Sequence, residues 1–408
     1  MGHQLVSYMS QIRHSIYYTG LHERIMNILL VNHTSFGSSY GATSSLKLHL
    51  QALNNYDCNY KFSLISTSKK THIANLLRAY NIDEYFQVFL PWTYSHEYTH
   101  YKKLKAALSN SVGWISFFLF LINSLLKHKK YDIIHLNSSV LLYLPPLLKL
   151  TFGRTVKVVL HVREKVIRSI PGCNFALTFV DEIIYIDSSV RKPFVFFYPH
   201  SNQTNSHVVG NLVDPPPVKS IRRVEEYFES LKGRFLFCMA GMLSDHDKGT
   251  SFVVNAFINS GLWKKNAALV LIGKIGKTNF KKLTYNPQLS NSVIWIDEIE
   301  NLSLSGAYSY VNAIVRGESS FNPGRSVYEA LANNIYVLMP GSKEEVKKDQ
   351  NLSRFAPLLC IYEPRDMQSL STMMNEAFSK NTPSLSNNLT STLYDQSNYA
   401  RLITGIYR

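Results

Sequence analysis

Residues 310–341 read YVNAIVRGESSFNPGRSVYEALANNIYVLMPG. Ala313, Ile314 and Val315 make a short apolar run of the kind that forms a buried strand. A polar loop follows, with Glu318, Asn322, Pro323, Gly324 and Arg325. The pattern then predicts a helix from near Ser326 that carries Glu329 on its first turn, and a second apolar strand over 335–339. This is a βαβ unit whose loop lies at the carboxyl end of a strand, the edge where open α/β sheets bind ligands. A helix start there offers N–H groups and a positive dipole end to an anion such as phosphate.

The same grammar extends outward in both directions. Upstream come a strand over 235–240, the loop GMLSDHDKG, a helix over 250–259, and strands over 268–272 and 293–295. In the first half, strands are expected over 28–32, 62–66, 85–90, 133–136, 156–161 and 183–186, with helices between them. Pro145 and Pro146 should bend or restart a helix over 141–150. Residues 91–110 have no clear period and read as a long loop. Short apolar strands alternating with helices mean parallel sheets covered on both faces. A chain of 408 residues also exceeds one ordinary core. The expected fold class is therefore α/β, as two doubly wound, Rossmann-like domains. The expected divisions are an extension over 1–25, a first domain over 26–207, a second over 208–385, and a final helix over 386–408. The connector VVGNLVDPPPVKS marks the boundary, and Tyr399, Leu402, Ile403 and Ile406 recur at helical spacing.

The net charge of +15 is uneven. Residues 26–205 carry 19 Lys and Arg against 9 Asp and Glu. Between Lys102 and Arg163 there are ten basic residues and one acid, Asp132. A basic first half suits an anionic partner such as membrane lipid or a pyrophosphate-linked acceptor, or serves solubility alone. No nucleic-acid-binding motif accompanies it, and no nucleic-acid partner is expected. The four cysteines are far apart with no C-x-x-C pair, which argues against a zinc site and fits a reducing compartment. Residues 1–25 lack the continuous apolar core of a secretory signal, so a cytoplasmic location is expected. The longest apolar run, VGWISFFLFLINSLL over 112–126, is shorter than the roughly 20 residues of a spanning helix. It reads as a buried helix. The sharper alternative is a helix lying in an anionic membrane surface, because Lys102, Lys103 and Lys105 precede it and Lys127, Lys129 and Lys130 follow.

Several segments, in order, resemble the retaining nucleotide-sugar glycosyltransferases of family 4, the group 1 glycosyl transferases. These are MNILLVNHTSFGSSYGA, YDIIHLNSS, VVLHVRE, HVVGNLVD, FCMAGMLSDHDKGTSFVVNAF and GRSVYEALANNIYVLMPG. The resemblance implies the GT-B fold: two domains facing a cleft, with the last helix returning to the first domain. It implies a nucleoside diphosphate sugar as donor substrate and no cofactor or bound metal. It also implies an oligosaccharide or lipid-linked acceptor for a surface polysaccharide of the O-antigen kind, built at the inner face of the membrane.

Site residues follow from the matched positions. Gly37 and Gly41 would let backbone approach the donor phosphate. His161 ends a strand at its carboxyl end and would reach a sugar hydroxyl, although a single histidine there is ordinarily a satisfied core residue. Arg163 and Glu164 would bind acceptor or pair with each other. Gly241 opens the loop to Lys248, whose charge would stabilise the leaving phosphate. The family's arginine after that glycine is replaced by Met242, and Arg325 is the nearest substitute. Glu329 would hold the ribose hydroxyls, with Gly324 and Ser326 at the helix start. The acid expected eight residues before Glu329 is Phe321. Either Asn322 or Glu318 would then contact the sugar. These departures also leave room for a catalytically weak nucleotide-sugar-binding partner of a glycosyltransferase complex.

Overall fold

The computed structural model describes residues 25–33, 41–56, 59–69, 74, 77–91, 100–217, 219–246, 248–276, 278, 289–297, 299, 305–349, 351–380 and 387–408. The first half builds β1 (Met26–Val31), helix α1 (Gly41–Tyr56), β2 (Tyr60–Ser66), β3 (Ile82–Gln87), helix α2 (His100–Leu126) and β4 (Ile133–Leu136). Helix α3 (Pro145–Phe152), β5 (Lys157–Val162), β6 (Glu182–Tyr185) and β7 (Asn205–Val208) follow. All seven strands are parallel, in the order β3-β2-β1-β4-β5-β6-β7. The winding reverses between β1 and β4, which opens a crevice beyond their carboxyl ends.

The second half builds β8 (Phe235–Ala240), helix α4 (Thr250–Asn259), β9 (Ala267–Ile272), β10 (Val293–Ile296), β11 (Ala313–Val315) and helix α5 (Arg325–Ala332). After these come β12 (Tyr336–Pro340), β13 (Leu359–Tyr362), helix α6 (Met367–Ser379) and helix α7 (Gln396–Tyr407). The second sheet is parallel, in the order β10-β9-β8-β11-β12-β13, and reverses between β8 and β11.

Alternation along each strand divides the first sheet into two apolar faces. Leu29, Val31, Ile134, Leu136, Val158 and Leu160 pack with Phe117, Phe120 and Leu121 of α2 and Leu148 of α3. Ile28, Leu30, Ile133 and Val159 point the other way, onto Leu46, Leu50 and Leu53 of α1 and Ala400, Ile403 and Ile406 of α7. Helix α7 thus follows the second sheet in the chain but seals a face of the first. Tyr60 donates to Thr404 Oγ1 at 3.0 Å, and Lys157 Nζ donates to the Ile406 carbonyl at 2.5 Å.

Some local expectations need correction. Helix α2 begins at His100, so residues 100–110 are helical rather than loop, and 92–99 lie outside the described residues. That stretch is too polar for an apolar period to signal it. Pro145 and Pro146 do not bend a helix but start one, where their missing N–H groups cost nothing. Two strands escape the sequence reading, β7 (NSHV) and β13 (LCIY), because both are short and only one is apolar. Helix α5 begins at Arg325, which places Glu329 on its second turn rather than its first.

Candidate functional site

The loops after β8 and β11 meet at the reversal of the second sheet. Gly249 holds a left-handed φ of +64°, and a Cβ on it would fall 2.1 Å from the Gly317 carbonyl oxygen. Backbone therefore touches backbone here, and only glycine permits it. This contact sets Lys248 beside Glu318. Glu318 Oε1 lies 2.7 Å from Lys248 Nζ and 2.7 Å from Arg316 Nη2, while Oε2 accepts from Arg316 Nε at 3.1 Å. Burial alone would raise the Glu318 pKa, but the charges of Arg316 and Lys248 outweigh it and hold the pKa below the ordinary carboxylate value. Arg316 also donates to Ser326 Oγ at 2.6 Å and to the Asn322 carbonyl at 3.3 Å, tying the loop to the start of α5. Lys248 is the solvent-facing member, with its side chain 29 % exposed against 9 % for Arg316. Gly241 directly follows β8, at φ +118°. Asp245, from the acidic stretch before Lys248, accepts from Ser251 N and Thr278 Oγ1.

Gly324 caps α5 in an extended conformation with no side-chain cap. Arg325 Nε donates to Glu329 Oε1 at 2.6 Å, and Nη2 donates to Asp214 Oδ2 at 3.0 Å. Arg325 Nη1 is buried with no hydrogen-bond partner. Tyr308 donates to Glu329 Oε2 at 3.2 Å. Burial, and then the adjacent Glu329 charge, push the Tyr308 phenol well above its usual pKa and keep it a donor. Both oxygens of Glu329 are thus engaged within the protein. Arg325 is paired with two carboxylates, Glu329 and Asp214, through Nε and Nη2. Phe321 is buried, and a Cβ on Gly341 would lie 2.8 Å from its ring. The position where an acid was expected faces the core, which is why it is aromatic.

At the first-sheet reversal, Arg163 follows β5 and is half-buried. Nε donates to Asn137 Oδ1 at 2.7 Å, Nη1 donates to Asn211 Oδ1 at 2.5 Å, and Nη2 lies 3.2 Å from His161 Nδ1. Burial lowers its pKa, Tyr399 and Glu164 oppose that, and Arg325 lowers it further. Glu164 accepts instead from Ser138 Oγ at 2.7 Å and from Ser139 N and Oγ at 3.2 and 3.1 Å. Arg163 and Glu164 thus take separate partners. His33, just past β1, has a pKa lowered by burial and partly restored by Glu164. Lys165 Nζ reaches Ser320 Oγ at 3.4 Å, and Ser188 Oγ reaches Asp349 Oδ2 at 3.0 Å, so the two domains also touch through polar side chains.

His161 does not line the crevice. Its ring points to the face sealed by α1 and α7, at 0 % exposure, because it follows the inward phase of Val159. Nδ1 lies 3.3 Å from His135 Nε2. His135 Nδ1 lies 2.8 Å from the Tyr407 hydroxyl, and His49 bridges the hydroxyls of Tyr399 and Tyr407 at 3.0 and 3.1 Å. Burial, then Arg163 and the neighbouring rings, hold His161 well below the ordinary imidazole value. It is a core histidine under the returning helix.

Gly41 is the first residue of α1, and Gly37 lies outside the described residues. The structure therefore gathers Lys248, Glu318, Asn322, Gly324, Arg325, Ser326 and Glu329 around one loop, with Arg163 opposite, and leaves His161 beneath. Sequence reasoning missed Arg316, Tyr308, Asp214 and Asn137. Arg316 had a usable signal, since it directly follows the strand and precedes Glu318 by two residues. Among the described residues, no group of three or more His, Cys, Asp or Glu is placed to hold a metal ion.

No protein-family profile matches the sequence, and no curated protein matches it. Similar solved structures do exist. A glycosyltransferase from Rickettsia africae is 15 % identical, with a TM-score of 0.65 over 95 % of this chain and 98 % of that one. Anabaena Alr3699/HepE, in complex with UDP and glucose, is 15 % identical, with a TM-score of 0.63 over 93 % of this chain and 99 % of that one. The lipopolysaccharide outer core galactosyltransferase WaaB, in its apo form, is 16 % identical, with a TM-score of 0.59 over 94 % and 99 %. With these neighbours and its two reversing parallel sheets, the chain has the GT-B fold.

Proposed function

We propose that this protein transfers a sugar from a nucleoside diphosphate donor to an oligosaccharide or lipid-linked acceptor in surface polysaccharide synthesis, with retention of anomeric configuration. The observation that carries this reading is the gathering of cations at the two reversals. Lys248, Arg316 and Arg325 come from one side and Arg163 from the other, and Arg325 Nη1 is a buried donor without a partner. Such a site suits a diphosphate. As the bond from the anomeric carbon to the phosphate oxygen breaks and the acceptor hydroxyl bonds to that carbon, negative charge grows on the leaving group. Lys248, solvent-facing and oriented by Glu318, and the N-terminus of α5 are the groups that would meet it. Glu318 or Asn322 would contact the sugar, and Glu329 the ribose, exchanging its bond to Tyr308. Arg163 and Glu164 would face the acceptor.

Anabaena HepE is described with UDP and with UDP-glucose, so uridine nucleotides head the panel of candidate donors. A thermal-shift screen tests the reading. A nucleotide at one hundred times its Kd should stabilise the fold by about 2.7 kcal/mol. Glu329→Ala should weaken that nucleotide by about ten- to a hundred-fold, the loss expected for a hydrogen bond to a charged group. If no nucleoside diphosphate or its sugar raises the midpoint, the assignment fails. Phe321, buried where an acid was expected, favours one second reading: a nucleotide-sugar-binding partner with little activity of its own. Stabilisation without hydrolysis or transfer would select it.

A further inference from the structure

Helix α2 has two unlike sides. Phe117, Phe120 and Leu121 are buried against the first sheet, and Gly113 packs so closely on Leu90 and Pro91 that a Cβ would fall 2.8 Å from backbone. The opposite side carries Val112, Ile115, Phe118, Leu119, Ile122, Leu125 and Leu126, all exposed, with Ile115 and Leu119 each 62 % open. Their spacing of three and four residues makes one continuous apolar stripe. Phe89, held beside the helix by its N–H to Ser116 Oγ, is also half-exposed. Scattered apolar residues on a surface need no explanation, but a contiguous stripe of seven large ones does.

Charge indicates what covers it. Lys127, Lys129 and Lys130 follow the stripe, and Lys102, Lys103 and Lys105 occupy the first turns of the same helix. Lys129 is paired with Glu84, while Lys127 and Lys130 are exposed. No acid lies between Lys102 and Asp132. No helix among the described residues is long and apolar enough to cross a membrane. At 27 residues, α2 extends for about 40 Å. It packs antiparallel to the strand it precedes, so its amino end lies at the edge where the two crevices open.

We propose that α2 docks the protein flat on an anionic bilayer. The apolar stripe enters the boundary between headgroups and acyl chains, and the exposed Lys127 and Lys130 meet lipid phosphates. The cleft mouth would then open along the membrane surface, level with a lipid-borne acceptor. Docking does not depend on the nucleotide site and is tested apart from it.

The test is flotation of the full chain with vesicles of phosphatidylcholine alone or mixed with phosphatidylglycerol, without nucleotide. Wild-type protein should float with the mixed vesicles and much less with the neutral ones, and high salt should release it. The exposed-face variant Ile115→Ser/Leu119→Ser/Ile122→Ser should weaken vesicle binding on the order of a hundred-fold. Lys127→Gln/Lys130→Gln should weaken it by about five-fold per lysine. Both variants should keep the wild-type thermal midpoint or exceed it, since every changed side chain is solvent-facing. Vesicle binding unchanged in the triple variant would overturn the proposal. So would a wild-type dimer in size-exclusion light scattering that the triple variant disperses without loss of flotation, because the stripe would then cover a second copy.

Discussion

Lys248→Ala is expected to lower turnover by about 10²–10³-fold, the effect of removing one charged group that meets developing negative charge. The fold should survive this substitution. Glu318 keeps both contacts to Arg316, so no buried carboxylate is stranded. The loss should therefore appear in kcat with the thermal midpoint nearly unchanged. Lys248→Arg should rescue poorly, since a planar fork cannot replace a point charge 2.7 Å from Glu318. Steady-state kinetics with whichever donor the thermal screen selects are the measurement. Wild-type kinetics for Lys248→Ala would remove the lysine from the mechanism and, with it, the reading of the second-sheet crevice as the reacting site.

Mild acid should destabilise the chain steeply. His135 titrates near 3, and His49 and His161 are held well below the ordinary value of 6.5, first by burial and then by neighbouring charge, including Arg163. The groups facing them come from two further places: Arg163 after β5, and Tyr399 and Tyr407 on α7. In the unfolded chain all three imidazoles bind protons near 6.5. Below that pH the unfolded state therefore holds more protons, and folding stability falls as pH falls. The loss is absent above about 6.5 and continues until the folded state also binds protons, near 3 for His135. At pH 5 His135 alone costs about 2 kcal/mol, and His49 and His161 act in the same direction. That alone is a sizeable part of the stability of many domains, about 5–15 kcal/mol. Urea midpoints between pH 7.5 and 5.0 measure it, with net proton uptake on unfolding expected at the acid end. A flat profile over that range would show that the cluster is hydrated rather than buried.

The fold was readable because parallel strands buried on both faces are nearly continuous apolar runs. AIV, ILLV and AALVLI announce themselves. NSHV does not, and β7 was missed for that reason. Site loops were readable as polar stretches between an apolar run and a helix, as with Lys248 and Glu318, although Arg316, directly after its strand, was missed. What could not be read was direction. His161 and Arg163 are two residues apart at one strand end, and both looked available to a ligand. The pleat and the helix lying above decide between them, and α7 arrives from the far end of the chain. Glu329 raises the same difficulty in another form. Arg325 stands within GRSVYEA at helical spacing from it, but Tyr308 reaches it only through the tertiary fold. Phe321 stood out as a departure from the expected acid, but that it faces Gly341 could be learned only from packing.

The return of α7 to the first sheet has a mechanical consequence. The chain passes between the two halves twice, once through the proline-rich connector and once before Asp395. Two straps resist shear and twist far more than they resist bending, so opening and closing should be confined to rotation about the line through both. The second strap is noncovalent at its far end, anchored by the Tyr399, Ile403 and Ile406 contacts and the hydroxyl bonds of Tyr407. A protease cut in the connector would therefore leave the halves associated. Loss of the last dozen residues would strip the cover from one face of the first sheet while leaving the covalent chain otherwise intact.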